Sequence, residues 1–170
     1  MKKLTIVING AGGVGKDTMC DLVAKHFRVR NISTITPIKE IAKHCGWDGR
    51  KDDRSRKFLA DLKALCVDYN DLPTIWAMRE YEDFLTTEEE ILFVHIRESG
   101  EIKKFVDATG GVARTLLIRG GARMTKSNYG NKSDDDVENY SYDKYFTNDK
   151  TKEESEIGIV ALIREMLAEV

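Results

Sequence analysis

The residues best suited to chemistry lie in a glycine-rich run near the N-terminus. Residues 10–18 read Gly-Ala-Gly-Gly-Val-Gly-Lys-Asp-Thr. Consecutive backbone N–H groups in such a run can point at phosphate oxygens, and the N-terminus of a following helix adds a favourable dipole. Lys16 directly follows the last glycine, where it can reach the terminal phosphates of a nucleotide. We therefore predict a phosphate-binding loop whose contacts are Gly10, Gly12, Gly13, Val14, Gly15, Lys16, Asp17 and Thr18.

The same run fits two nucleotide-binding patterns. G-x-x-x-x-G-K is the phosphate loop, and G-x-G-x-x-G is the dinucleotide fingerprint. A dinucleotide site needs an acidic residue at the end of the second strand to bind the ribose hydroxyls. Here the second predicted strand ends in Ser33-Thr34-Ile35-Thr36-Pro37, which has no carboxylate. The sequence favours the phosphate loop, and a dinucleotide site or a purely structural glycine turn are the alternatives.

Asp17 departs from the phosphate-loop pattern. A hydroxyl normally follows the lysine and contacts Mg²⁺, whereas here a carboxylate follows it and Thr18 brings the hydroxyl one residue later. Carboxylate and phosphate can share a site when the cation offsets their repulsion. Asp17 is either a metal ligand or a partner of the helix dipole. The first interpretation predicts ATP and Mg²⁺ as cofactors, with Asp17 as the metal ligand.

Apolar runs and helical patterns alternate along the chain, which predicts an α/β fold with a parallel sheet covered on both faces. The predicted strands span residues 4–9, 29–36, 91–97, 114–119 and 144–147. The predicted helices span residues 17–27, 38–45, 54–69 and about 71–85, with one capped by Ser99 and a last one that begins with a Thr151–Glu154 capping box. Residues 120–141 are polar and aperiodic, and we interpret them as a mobile lid.

Composition limits the possible functions. The chain has 170 residues, which favours a single domain, and a formal net charge of -2, which argues against general affinity for nucleic acid or anionic membranes. No apolar stretch is long enough for a membrane span. The three cysteines, Cys20, Cys45 and Cys66, are too far apart for a disulfide framework or a zinc site. We interpret them as core residues of a cytoplasmic protein.

At Gly15-Lys16-Asp17-Thr18 the sequence resembles the deoxynucleoside monophosphate kinases of phages and their bacterial relatives, within the nucleoside monophosphate kinase superfamily. Weaker likenesses extend over most of the chain: residues 36–42, 46–49, 51–52, Arg56, 96–98, Glu101, 142–143 and 148–149. The resemblance implies a three-layer P-loop kinase fold with a five-stranded sheet. It also implies a helical substrate-binding insertion at about 37–88 and a lid at about 120–141, all within one domain of residues 1–170.

The resemblance also implies a reaction, in which the γ-phosphoryl group of ATP passes to a (deoxy)nucleoside monophosphate. Such transfer needs cationic side chains around the equatorial oxygens. Lys16 would act in catalysis with three arginines at strand ends or in the lid: Arg97, Arg119 and Arg123. The acceptor would be bound by Lys39, Arg56 and Arg97, and Asn148 would contact the nucleotide.

One feature of related kinases is missing. Where they often carry a metal-holding aspartate in the third strand, this chain has His95. Asp17 replaces that carboxylate, or metal binding is weaker, or the chain does not catalyse; His95 itself is either a general base or a buried, hydrogen-bonded histidine. Other P-loop kinases, of the dephospho-coenzyme A or phosphomevalonate type, and a regulatory nucleotide-binding module are alternatives. The sequence does not determine the oligomeric state.

A GTPase switch is a further alternative. Residues 107–110 fit D-x-x-G and residues 131–134 fit N-K-x-D. In GTPases such patterns follow strands, but here the first ends a predicted helix and the second lies in the polar stretch. We interpret both as chance matches.

Overall fold

Five parallel strands form the centre of the molecule. The computed structural model describes residues 1–121 and 136–170. The strands are β1 (Leu4–Asn9), β2 (Val29–Ser33), β3 (Ile91–His95), β4 (Arg114–Gly120) and β5 (Lys144–Asn148), in the spatial order β2-β3-β1-β4-β5. Each neighbouring pair is parallel. All six residues of β1 are buried, as expected for the central strand of a sheet with both faces covered.

Helices connect the strands and cover both faces. They are α1 (Lys16–Ala24), α2 (Thr36–His44), α3 (Asp53–Asn70), α4 (Leu72–Thr86), α5 (Ser99–Ala108) and α6 (Lys152–Ala168), with a 3₁₀ turn at Val137–Asn139. The predicted capping box of α6 is present, because the Thr151 hydroxyl accepts from the Glu154 amide and the Glu154 carboxylate accepts from the Thr151 amide. Along residues 1–121 and 136–170, no helix combines the length and the apolar character that a membrane crossing requires.

Side-chain alternation along β1 divides the core into two layers. Leu4, Ile6 and Ile8 pack on one face with apolar residues of α1 and α6. Val7 packs on the opposite face with residues of α4 and α5. This arrangement follows from the two-residue period of a strand. It confirms the predicted three-layer α/β architecture with a five-stranded parallel sheet.

The ends of two strands differ from the prediction. β2 ends at Ser33 and β3 at His95, earlier than the predicted 36 and 97. Pro37 does not stop a strand; it lies in the first turn of α2, where proline is tolerated because the first helical amides have no acceptor within the helix. Ser99 does not cap α5 with its side chain. Its amide instead donates to the Asp136 carboxylate at 2.6 Å.

Three helices, α2, α3 and α4, connect β2 to β3 in the sequence. They cover the range that the sequence predicts as the substrate-binding insertion. No residue of α3 is buried. Two large apolar side chains of α3 remain exposed, Leu65 at 68% and Tyr69 at 87%. Of the predicted lid, residues 122–135 lie outside the described residues.

Candidate active site

The glycine-rich loop connects β1 to α1 at the carboxyl edge of the sheet. Gly13 and Gly15 have positive φ angles of 81° and 88°, which side-chain-bearing residues rarely adopt. Gly15 is the N-cap of α1 and has no side chain to accept from the first amides of the helix. These amides and the helix dipole therefore provide the binding geometry for an anion that the sequence predicts.

Close packing explains two of the glycines. A Cβ at Gly10 would lie 2.9 Å from the carbonyl oxygen of Ile118, and one at Gly15 would lie 2.5 Å from Nδ2 of Asn148. Asn148 donates from Nδ2 to the Val14 carbonyl at 3.0 Å, and its Oδ1 accepts from the Ser155 hydroxyl at 3.1 Å. The structure thus places Asn148, which the sequence predicts as a nucleotide contact, directly against the loop, where it supports the loop backbone.

Lys16, Asp17 and Thr18 form the first turn of α1. The Asp17 side chain is 89% exposed, and its Oδ1 lies 3.9 Å from Nδ1 of His95. An exposed carboxylate beside a hydroxyl suits Mg²⁺, which prefers oxygen ligands and keeps several of its own waters. The same position, at the helix N-terminus, is also favourable for a negative charge without any metal.

His95 ends β3 behind this turn. Its side chain is 14% exposed, and Nε2 lies 3.1 Å from the amide oxygen of Asn31 and 3.9 Å from the Cys20 sulfur. Burial and, to a smaller extent, the positive charges of Lys16 and Arg97 lower the pKa of His95 to about 4, against the opposing effect of Asp17. The imidazole is therefore neutral at pH 7. This geometry favours a buried, hydrogen-bonded histidine over a general base.

Arg97 follows β3, is exposed, and lies near enough to His95 for its charge to act on the imidazole.

Arg119 is the second-to-last residue of β4, and a neighbouring carboxylate holds its side chain. It makes a bidentate ion pair with Glu138, with distances of 3.0 Å and 2.8 Å, and its guanidinium lies 4.5 Å from the Tyr145 ring centre. The hydrogen-bonded ion pair raises the pKa of Arg119 and lowers that of Glu138. Arg123 lies outside the described residues.

Similar folds occur among solved structures. A candidate kinase from Chloroflexus aurantiacus is 16% identical, covers 99% of this chain and 98% of its own, and has a TM-score of 0.55. The tunicamycin resistance protein of Deinococcus radiodurans is 12% identical over 95% of this chain and 96% of its own, with a TM-score of 0.56. A sugar kinase from a Janibacter species is 15% identical over 95% of each chain, with a TM-score of 0.50. The fold is that of the P-loop kinases.

No protein-family model and no curated protein sequence matches the chain. At such low identities the structural likeness shows the P-loop kinase fold alone. The chemistry assigned to this chain must therefore come from its own residues.

Two predicted acceptor contacts lie on the helices that follow β2 and precede β3 in the sequence. Lys39 is exposed on α2, and Arg56 is exposed on α3, where it lies 3.5 Å from Asp53. Within residues 1–121 and 136–170, neither side chain forms a hydrogen bond or an ion pair with the loop. The two tryptophans of this region have structural contacts: Trp47 donates from its indole to the Arg50 carbonyl, and Trp76 packs against the core.

Sequence reasoning missed two buried polar residues near the loop. Asn9, the last residue of β1, is fully buried, and Tyr142 is nearly so. The Asn9 amide nitrogen donates to the Tyr142 hydroxyl at 2.9 Å. The available signal was a single polar residue at the end of an apolar strand, directly before Gly10.

Proposed function

We propose that the protein transfers the γ-phosphoryl group of ATP to a small-molecule acceptor, and that this acceptor is a (deoxy)nucleoside monophosphate. One observation carries the first half of the proposal. The loop turns through Gly13 and Gly15 and directs the N-terminus of α1, with Lys16, to the carboxyl edge of a parallel sheet. Ligands in open α/β sheets bind at this edge.

The reaction needs positioning and charge more than covalent chemistry. The loop amides bind the phosphates of ATP, and Lys16 neutralises charge on the terminal phosphates. Asp17 and Thr18 would hold Mg²⁺, which offsets charge between the phosphates when bound. Arg97 extends from the end of β3 toward the transferring group, and Arg119 joins it after exchanging Glu138 for phosphate oxygens.

The acceptor would lie between the α2–α4 helices and the carboxyl ends of the strands. Exposed cations on these helices, Lys39 and Arg56, support a phosphorylated acceptor, and the sequence resemblance supports a nucleoside monophosphate. A different acceptor class is the main rival, because the similar structures include a sugar kinase. A module that binds ATP without turnover is a second rival, motivated by His95 at the position where related kinases often have an aspartate.

An acceptor panel tests the proposal. The protein is incubated with ATP and Mg²⁺ in a coupled assay with ribo- and deoxyribonucleoside monophosphates, dephospho-coenzyme A, phosphomevalonate and simple sugars. Turnover with a nucleoside monophosphate supports the proposal. Turnover only with another compound moves the function to that class, and ATP binding without any turnover favours the regulatory module.

Lys16→Ala tests the loop itself. The loss of a charge-assisted hydrogen bond to phosphate should weaken ATP binding by about 10- to 100-fold, while the fold is kept. Calorimetry measures the affinity and circular dichroism checks the fold. Lys25→Ala is the matched control, because Lys25 lies at the other end of α1 and pairs with Glu156 at 2.9 Å. Unchanged ATP affinity in folded Lys16→Ala would refute the phosphate-loop assignment.

Arg97→Ala and Arg56→Ala test the acceptor side. Each should raise the acceptor KM or lower kcat, and Arg56→Ala should leave ATP affinity nearly unchanged. Lys57→Ala is the control for Arg56, since Lys57 is the next residue on α3 and pairs with Asp61 at 2.5 Å. If the Arg56→Ala and Lys57→Ala proteins behave alike, Arg56 has no role in acceptor binding.

A further inference from the structure

The fully buried side chain of Asn9 joins three separate parts of the candidate site. Its Oδ1 accepts from the Gly10 amide, the first amide of the loop, at 2.9 Å. Its Nδ2 donates to the Arg97 carbonyl at 3.0 Å and to the Tyr142 hydroxyl at 2.9 Å. The amide oxygen and both N–H groups of Asn9 therefore each have a hydrogen-bond partner.

The partners fix the orientation of this amide. The Gly10 N–H can only donate, so it requires the amide oxygen, and the Arg97 carbonyl can only accept, so it requires the amide nitrogen. A rotated amide would place an N–H against an N–H and an oxygen against an oxygen. In a buried site both mismatches cost free energy, because no bulk water replaces the lost partners.

Tyr142 holds the second N–H of Asn9 in place. Its hydroxyl donates to the Val137 carbonyl at 2.8 Å and is therefore left to accept from Asn9. Val137 belongs to the 3₁₀ turn, whose neighbours make two further contacts with the site: Asp136 accepts from the Ser99 amide, and Glu138 pairs with Arg119. Residues 136–142 thus contact the backbone or side chains that flank the ends of β1, β3 and β4.

We propose that Asn9 is a positioning residue, which fixes the Arg97 backbone relative to the first loop amide, and that Tyr142 sets the orientation of Asn9. The inference rests on the proposed phosphotransfer and names a determinant of its geometry. In-line transfer needs the nucleotide and the acceptor at a fixed separation. The loop fixes the nucleotide, Arg97 binds the acceptor, and Asn9 bridges the two through direct hydrogen bonds. Its loss should therefore affect the acceptor more than ATP.

Tyr142→Phe is the first test, with Tyr140→Phe as its control. Tyr140 is a half-buried neighbour whose hydroxyl makes no hydrogen bond within residues 1–121 and 136–170. With the acceptor found in the panel, Tyr142→Phe should lower kcat/KM for the acceptor by about five- to tenfold, the ratio given by one lost hydrogen bond. The KM for ATP should change by less than about twofold. Equal losses for ATP and acceptor, or equal effects of the two variants, would overturn the proposal and leave a purely structural role.

A double-mutant cycle tests the link between the two residues. If Tyr142 acts through Asn9, Tyr142→Phe should have no further effect on acceptor kcat/KM in an Asn9→Ala background. Additive effects would refute the link. Should Asn9→Ala not fold, the comparison of Tyr142→Phe with Tyr140→Phe still decides the matter.

Hydrogen exchange separates failure of this inference from failure of the proposed function, because it needs no acceptor. With ATP bound, Tyr142→Phe should speed amide exchange at residues 97–99 and 10–12, while exchange at residues 19–23 in α1 stays at the wild-type rate. Wild-type exchange at both sites refutes the positioning role, whichever acceptor the panel identifies. Faster exchange supports it even if the acceptor is not a nucleoside monophosphate.

Discussion

Asp17 occupies the position after the loop lysine, and its carboxylate is almost fully exposed. Asp17→Asn should weaken ATP binding about tenfold in the presence of Mg²⁺, since a charged metal ligand is lost, and should not weaken it in EDTA, where the carboxylate only repels phosphate. Calorimetry in both buffers measures the two affinities. Asp21→Asn, at an exposed position one turn further along α1, is the control.

The alternative role of Asp17 makes a different prediction. If the carboxylate only complements the helix dipole, Asp17→Asn should cost about 0.3–1 kcal/mol of folding stability. The effect on ATP binding would then be the same with and without Mg²⁺. That outcome would remove Asp17 from the metal site.

His95 makes the stability of the fold depend on pH. Burial lowers its pKa from 6.5 to about 4, so between these values the unfolded chain takes up a proton that the folded protein does not. The contribution of neutral His95 to the free energy of unfolding is complete above pH 6.5 and is lost as the pH falls toward 4. A pKa shift of this size corresponds to about 3 kcal/mol. In denaturant titrations, His95→Gln should show a shallower fall in unfolding free energy between pH 6.5 and 4 than the wild type. Parallel curves across this range would show that His95 is not protected from protonation.

At the scale of the element, the loop and α1 depend on the conformation of Gly15. Gly15→Ala meets both a φ of 88° and a contact of 2.5 Å with the Asn148 amide. It should lower the unfolding free energy by about 1–3 kcal/mol and weaken ATP binding, because Asn148 must leave the Val14 carbonyl. Denaturant unfolding and calorimetry measure the two effects.

Gly12→Ala is the matched control within the same loop. A Cβ at Gly12 meets no atom within 4 Å, and Gly12 is not among the glycines with positive φ. Its unfolding free energy should therefore stay within about 0.5 kcal/mol of the wild type. Similar destabilisation by both substitutions would contradict the role assigned to the Gly15 conformation.

The elements show which features a sequence can predict. β1 was predicted at its observed residues because an apolar run ends at a glycine cluster, and both signals are local. Pro37 was misplaced because proline is compatible with a strand end and with a helix start. Cys45 was expected in the core but is exposed. An apolar position in a helical pattern does not show how much of that helix its neighbours cover.

The site was predictable only where its residues are adjacent in sequence. Gly10 to Thr18 form one local pattern. Two of the three partners of Asn9, Arg97 and Tyr142, lie far along the chain, and their approach to Asn9 depends on the order of the strands. The pairing of Arg119 with Glu138 is likewise a tertiary contact. The sequence therefore predicted Arg119 as a site residue but did not show that a carboxylate binds it.

At the scale of the whole molecule, strand order brings the functional residues together. β1 lies between β3 and β4, and all three strands are parallel. Their carboxyl ends therefore meet at one edge, where β1 delivers the loop, β3 delivers His95 and Arg97, and β4 delivers Arg119. Gly10 lies so close to the Ile118 carbonyl that the loop and β4 are in direct contact.

The same strand order determines when the protein can fold during synthesis. β1 is complete at Asn9, but its two neighbours begin only at Ile91 and Arg114. At about 5–20 residues per second, the central strand must wait several seconds for its partners after it is made. In ribosome-stalled chains of increasing length, protease protection of residues 4–24 should thus appear only after β4 has emerged. Protection already present when β2 emerges would show that the N-terminal segment folds alone. If β1 does wait for β3 and β4, an apolar strand with two unpaired edges is exposed throughout this interval. The growing chain would then be a substrate for chaperones.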